Sequence, residues 1–146
     1  MKTFDLEDTL YYPAILSHNE DGCRLQFVDL DLEIKGKNTG ETLKKASEVI
    51  YIFLNETFEK DKIPMPSEQL DGIKLLKNEV TVFIEMEKIK LMGMYGYEEW
   101  ETVKKTLTIP KKLDELARKY DINFSFVLRN AIMEEIRKIQ EIKRNF

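Results

Sequence analysis

Residues 103–136 place the strongest constraint on the fold of this chain, because the stretch VKKTLTIPKKLDELARKYDINFSFVLRNAIMEEI changes its hydrophobic period at a proline. Before the proline the residues alternate, which predicts a short strand from 104 to 109. Pro110 suits the first turn of a helix, where no amide hydrogen is needed. One strand is unstable alone, since its backbone groups would be unpaired. We therefore expect this strand to pair with the same strand of a second copy.

Two short helices are predicted after Pro110, each with a narrow apolar stripe. The first stripe runs from Leu113 to Tyr120, the sequence YDINF ends that helix, and Asn123 is a suitable N-cap for the second. Helices this short cannot bury their stripes on one strand. Two copies would interlock in an obligate, hydrophobic two-fold dimer, with higher oligomers left open. The expected dimer core comprises Leu107, Ile109, Leu113, Leu116, Leu128 and Ile132.

The outer face of such a paired ribbon points to nucleic acid. It would present Lys104, Thr106 and Thr108 twice, and a two-stranded ribbon fits the major groove of DNA. Amides at the start of the second helix, near Asn123, Phe124 and Ser125, would hold a phosphate. The alternative is a structural hairpin or a tail that only dimerises.

Charge divides the chain in the same place. Residues 102–146 have 11 Lys and Arg against 6 Asp and Glu, a net charge of +5, whereas residues 1–101 have 12 against 21, a net charge of −9. A basic segment favours phosphate backbones and an acidic one favours basic proteins. No apolar run reaches the ~20 residues of a membrane span, and the N-terminus lacks the pattern of a signal peptide, so we expect a cytoplasmic protein. One cysteine and one histidine predict no disulfide, metal site or cofactor.

The N-terminal part predicts a sheet with one helix on its face, an α+β fold in βββαβ order. The residues alternate in four stretches, and a helical period follows the third, with Thr39 as the expected cap. Two glycines after residue 88 predict a linker. We expect a first domain at 1–90, a linker at 91–101 and a second domain at 102–146. The predicted strands lie at 9–17, 23–30, 31–36 and 80–87, and the helix at 38–60.

Two known patterns recur in these segments. The tail, KKTLTIPKKLDELARKYDINFSFVLRNAI, resembles a ribbon-helix-helix domain: a strand that ends in a Thr-hydrophobic-Pro step, a helix, a capped break and a second helix. The part before it resembles the N-terminal domain of HicB antitoxins, in the same order and spacing over nearly the whole chain. The motifs are YPAI at 12–15, FVDL at 27–30, LKKAS at 43–47 and IPMPS at 63–67.

The resemblance implies a function in two parts. HicB antitoxins neutralise HicA, a small basic toxin that cleaves RNA, through an N-terminal domain similar to a reduced RNase H fold. Their ribbon-helix-helix domain represses the operon by binding its operator DNA. Carried onto this chain, Lys104, Thr106 and Thr108 face the bases, and the amides around Phe124 and Ser125 anchor a phosphate. Many relatives have an arginine at the position of Phe124. The toxin-contacting residues are not identified.

Two other readings stay open. One is a stand-alone transcription regulator whose N-terminal domain senses a ligand or only oligomerises. The other is a nuclease, whose chemistry needs carboxylates that converge on metal ions. The candidates would be Asp29 and Asp31 together with Glu85 and Glu87, but such residues more often form an acidic surface, and no catalytic residue is expected.

Overall fold

The computed structural model describes residues 6–96 and 101–144, and the chain divides after Gly96 into an N-terminal and a C-terminal unit. Over these residues the fold is α+β, with a four-stranded antiparallel sheet and four helices. None of the helices in the described ranges is both long and apolar enough to cross a membrane. The elements are β1 (Thr9–Asn19), β2 (Gly22–Phe27), β3 (Glu33–Gly36), α1 (Thr39–Thr57), β4 (Glu79–Glu87), α2 (Lys88–Tyr95), α3 (Lys111–Lys119) and α4 (Phe124–Arg144).

Strand β1 organises the sheet, whose order is β3-β2-β1-β4. Its alternate residues Leu10, Tyr12, Ala14 and Leu16 are buried on the face that α1 covers. The three-stranded antiparallel meander and the return of β4 beside β1 confirm the predicted βββαβ order. The first turn is tighter than the predicted stretch 18–22, because β1 continues to Asn19 and pairs it with Gly22.

The N-cap of helix α1 lies one residue before the predicted position. Asn38, and not Thr39, is the N-cap: its Oδ1 accepts the N–H of Glu41 at 2.8 Å. The N–H of Lys37, the residue before the cap, donates to the Glu41 carboxylate at 3.3 Å, so Glu41 bonds back to the chain that enters the helix. Hydrogen bonds from Lys45 and then from Lys37 lower the pKa of Glu41. The helix then buries its apolar stripe, Ala46, Ile50 and Leu54, against the sheet.

The start of α1 lies unusually close to the end of β3. A Cβ at Gly36 would lie 3.0 Å from the Thr42 backbone nitrogen and would collide with its Oγ1. Thr42 itself is fully buried, and its hydroxyl donates to the Asn38 carbonyl at 2.8 Å. Glycine at position 36 is therefore what allows the helix to turn back onto the sheet at this distance.

The long connection between α1 and β4 is fastened to the sheet at two points. The Tyr12 hydroxyl donates to the Pro64 carbonyl at 2.6 Å. The Asp29 carboxylate accepts from the Ser67 N–H at 2.7 Å and from its hydroxyl at 2.5 Å. Burial, and secondarily the Asp29 charge, raises the pKa of Tyr12. These contacts order a connection that has no helix or strand of its own.

Helix α2 lies where the sequence predicted the start of a linker. Its residues Ile89, Leu91 and Met92 are buried, and the helix packs on α1. The Tyr95 hydroxyl donates to the Phe58 carbonyl at 2.6 Å and lies 3.0 Å from the Leu54 carbonyl. The two glycines favoured a linker, because glycine content alone does not show whether the neighbouring apolar residues pack against another element. Residues 97–100 of the predicted linker lie outside the described residues.

Candidate nucleic-acid interface

The segment before α3 holds the predicted base-facing residues. Residues 101–110 are exposed and form no ladder with any described residue, so the predicted strand 104–109 is absent from the single chain. Lys104, Thr106 and Thr108 are all exposed, as are Leu107 and Ile109 between them. These side chains are accessible to solvent, but one protomer alone does not form the two-stranded ribbon that was predicted.

Helix α3 begins directly after Pro110, whose extended backbone (ψ 138°) precedes the first helical residue. The Asp114 N–H donates to the Pro110 carbonyl at 3.1 Å and closes the first turn. An exposed ion pair between Arg118 and Asp114, 3.0 Å, spans one turn of the helix. The helix thus begins at Pro110 as expected, but the proline is the N-cap and not a residue of the first helical turn.

The turn between α3 and α4 is tightly specified. Asp121 has a positive φ of 54°, and the N–H of Ile122 donates to the Ala117 carbonyl at 2.9 Å. The N–H of Asp121 also donates to the Arg118 carbonyl at 3.2 Å. These two bonds form the Schellman end of a helix, with an aspartate where glycine is most common. The turn fixes where α4 begins.

Asn123 caps α4, as predicted. Its Oδ1 accepts the N–H of Phe126 at 3.0 Å. The amides of Phe124 and Ser125, in the first turn of α4, have no hydrogen-bond partner among residues 6–96 and 101–144, which is the arrangement that favours an anion. Arg129, which the sequence analysis did not single out, donates from Nε to the Ser125 carbonyl at 3.1 Å. Its guanidinium thus lies one turn from the predicted phosphate anchor.

Four lysines flank the start of α3, and all are exposed: Lys104, Lys105, Lys111 and Lys112. Within the described part of the chain, none of them forms an ion pair. Cations that are not neutralised by neighbouring carboxylates are the groups that release counterions when they meet a phosphate backbone. The positive charge that the sequence predicted for this segment therefore lies on its solvent-exposed surface.

The predicted dimer core is exposed in the single chain. Its six side chains are 36–64% exposed, with Leu128 the least and Leu107 the most exposed. The only buried apolar side chain of the C-terminal unit, among the residues described, is Ala117. The sequence thus identified an apolar face, and the folded single chain leaves that face open. The other exposed members of the set are Ile109, Leu113, Leu116 and Ile132.

The carboxylates considered for nuclease chemistry lie in different settings. Asp29 is engaged with Ser67, and Asp31 is exposed in the turn before β3. Glu85 and Glu87 lie on β4, opposite Tyr11 and Thr9 of β1. Among the residues that the structure describes, no group of three or more Asp, Glu, His or Cys side chains could hold a metal ion.

The remaining reactive side chains lie at the turn end of the β1–β2 hairpin, where His18 pairs with Cys23. His18 is exposed, and its Nε2 lies 2.7 Å from the Thr39 hydroxyl. Cys23 is a buried free thiol, with its Sγ 3.9 Å from the same hydroxyl. These contacts join the hairpin to the start of α1, which is a structural use of both residues.

No protein-family model matches the chain, and no curated protein matches it. It is similar to a chain of a solved structure described as "Toxin-Antitoxin complex from Streptococcus pneumoniae", with 24% identity and a TM-score of 0.46 over 88% of this chain and 99% of that one. It is also similar to "Antitoxin HicB3 crystal structure", with 23% identity and a TM-score of 0.45 over 84% and 95% of the two chains.

Proposed function

We propose that this chain is a HicB-type antitoxin that neutralises a small basic RNA-cleaving toxin and represses its own operon. The observation that carries the DNA-binding part is the segment 103–110. It is exposed and basic, and it precedes two helices whose apolar faces are open. In this proposal the N-terminal unit, which ends at Gly96, binds toxin, and residues 102–146 dimerise and bind operator DNA.

Dimerisation follows from the open apolar face. Side chains such as Leu107 (64% exposed) and Leu113 (55% exposed) would form a contiguous apolar surface that soluble monomers rarely display. A second copy offers the same face about a two-fold axis, and the two 104–109 segments then supply each other's missing strand neighbour. The resulting ribbon-helix-helix dimer would have a shared core and an obligate interface.

DNA recognition uses the other face of the same ribbon. With Leu107 and Ile109 turned into the core, alternation turns Thr106 and Thr108 outward. Their hydroxyls can donate to or accept from base edges in the major groove. Lysines such as Lys104 and the amides at the start of α4 would contact phosphates and fix the register.

Toxin binding is assigned to the N-terminal unit on grounds of charge. Residues 1–101 have a net charge of −9, and a protein that cleaves RNA must present positive charge to phosphate. An acidic sheet domain can occupy that surface, block RNA and associate quickly. The proposed inhibition is steric and electrostatic, without chemistry on the toxin.

The test of the DNA-binding part is fluorescence anisotropy of the full chain with the DNA upstream of its own gene, over a salt series. Thr106→Ala and Thr108→Ala should each weaken specific binding by about 1–3 kcal/mol, the usual value of a good base contact. Thr57→Ala, at an exposed threonine of α1, is the matched control and should leave binding unchanged. Affinity should fall steeply with salt.

Two results would overturn the proposal or change it. Unchanged specific binding in both threonine variants would mean that this face does not read bases. Specific DNA binding would favour the stand-alone regulator if no small basic protein is encoded beside this gene, or if the one encoded there does not bind the chain. That partner is tested by titrating it into the full chain and measuring the mass of the complex.

A further inference from the structure

Strand β4 is an edge strand with backbone groups directed away from the sheet. Its neighbour within the described residues is β1, and Lys88 N–H donates to the Asp8 carbonyl at 3.0 Å, while His18 N–H donates to the Asn78 carbonyl at 3.1 Å. In the same register the even-numbered residues of β4 bond β1. The N–H and C=O groups of Thr81 and Phe83 therefore point to the opposite side, where no described strand lies.

Apolar side chains flank this open edge on both faces of the sheet. Phe83 is 55% exposed on the face opposite α1, and Val80 is 50% exposed on the side of α1. Tyr11, 46% exposed on β1, lines with Phe83 and Met65 an open groove of about 300 Å³. Strand β4 is nine residues long without proline or glycine, and its open edge ends before Glu87, whose N–H donates to the Tyr51 hydroxyl at 2.8 Å.

The charge of β4 selects the occupant. Glu79, Glu85 and Glu87 lie on the same face as Phe83, and the strand contains no lysine or arginine. Glu68 adds a carboxylate to the lining of the groove. An apolar centre with an acidic surround favours an extended segment that alternates apolar and basic residues.

The same glutamates disfavour two of the registers in which a second copy of this strand could pair with it. In antiparallel self-pairing about a two-fold axis, the register centred on Phe83 places Glu79 opposite Glu87 twice. The register centred on Val82 places Glu79 opposite Glu85 twice. Like charges directly opposite each other destabilise a sheet, so these two registers of self-pairing are disfavoured, whereas an added strand of apolar and basic residues meets no like charge along β4.

We infer that the β4 edge is the surface on which the N-terminal unit takes up its basic partner, as a fifth strand. This inference rests on the proposed antitoxin function and locates its toxin-binding surface. The added strand would bond to the outward backbone groups of Thr81 and Phe83. Its apolar side chains would pack on Phe83 and Tyr11, and its lysines or arginines would lie opposite Glu85 and Glu87.

The probe for the test is the purified small basic protein encoded beside this gene, titrated into the full chain. Thr81→Pro removes an outward N–H without removing a bond to β1, and proline is tolerated at such edge positions. Glu85→Lys reverses a charge beside Phe83. The matched control is Glu48→Lys, which makes the same charge change at an exposed position of α1.

Each edge variant should weaken the partner's affinity at least tenfold, whereas Glu48→Lys should change it less than threefold. Thermal melts establish that the variants are folded, and Glu85→Lys decides the question if Thr81→Pro is not. If wild type binds and both edge variants bind within threefold of it, the partner docks elsewhere, although the antitoxin function stands. If wild type does not bind at all, the proposed function fails and the inference with it. Loss of self-association in the edge variants would identify a second copy as the occupant and overturn the inference.

Discussion

Helices α1 and α4 have similar amphipathic patterns, but in the single chain the apolar face of α1 is buried and that of α4 is exposed. In α1 the residues Ala46, Ile50 and Leu54 are fully buried, whereas in α4 Leu128 is 36% and Ile132 51% exposed. The difference arises from whether the unit contains a sheet against which the helix can pack. Strands β2, β3 and β4 all contact α1, but the C-terminal unit has no sheet of its own in the described residues. Helical periodicity thus predicts which face is apolar, and the neighbouring elements decide whether it is covered.

The largest effect should come from the buried side of this comparison. Ile50→Ala should lower the free energy of unfolding of the N-terminal unit by about 2–5 kcal/mol, because it leaves a cavity between α1 and the sheet. Urea unfolding followed by circular dichroism measures it. The matched control, Ile52→Ala, removes an isoleucine that is 50% exposed on the same helix and should cost much less. Equal losses of unfolding free energy in the two variants would mean that the face of α1 that contains Ile50 does not pack on the sheet.

A smaller effect, of a different kind, is expected in the other unit. Ile132→Ala should weaken the proposed dimer by about 1–2 kcal/mol per protomer, because only the 51% of this side chain that is still exposed would be newly buried. The unfolding midpoint of the wild-type C-terminal unit should rise with protein concentration, and the variant should need more protein to reach the same midpoint. A midpoint that is independent of concentration in both proteins would show that α4 is not stabilised by a second copy.

The smallest effect tests a polar group inside the buried core. Tyr12→Phe should cost about 1 kcal/mol near neutral pH, since it removes the hydrogen bond to Pro64. The pKa of Tyr12 is raised in the folded protein, so its contribution is complete below the unfolded-state pKa of about 10 and is lost as pH rises further. Unfolding between pH 8 and 12 should therefore show a steeper alkaline loss in wild type than in the variant.

Tyr11→Phe is the matched control for this pH experiment. Tyr11 is the adjacent residue on β1, but it is 46% exposed. Its replacement should leave the alkaline loss of stability as it is in wild type. Identical profiles for the two variants would mean that the burial of Tyr12 does not control its titration.

Most of the N-terminal unit could be predicted from its sequence, because its periodic signals are strong and its partners are close along the chain. The four strands and α1 were expected, with the helix on one face of the sheet. The cap was assigned to Thr39 in place of Asn38, since both residues have suitable side chains and only backbone geometry separates them. Helix α2 was missed because Gly93 suggested a loop, whereas the burial of Leu91 and Met92 holds the segment in a helix.

The candidate site was predictable only in its local parts. The cap at Asn123 and the helix start after Pro110 depend on neighbouring residues, and both are confirmed. A strand at 104–109 depends on a neighbour that the local sequence does not contain, and the single chain does not form it. The roles of Lys104, Thr106 and Thr108 in DNA binding therefore remain predictions.

Helix α2 also determines where the N-terminal unit can be cut. A fragment that ends at residue 90, the boundary expected from glycine content, would lose Leu91 and Met92 from the core and the Tyr95 hydroxyl from the end of α1. The carbonyls of Leu54 and Phe58 would lose the Tyr95 hydroxyl and would bond to water instead. The apolar surface beside them would become exposed to solvent. A fragment that ends at Gly96 keeps all of these contacts. Binding studies that separate toxin from operator should divide the chain there, since the last side chain that packs, and not the first flexible residue, marks the end of a folding unit.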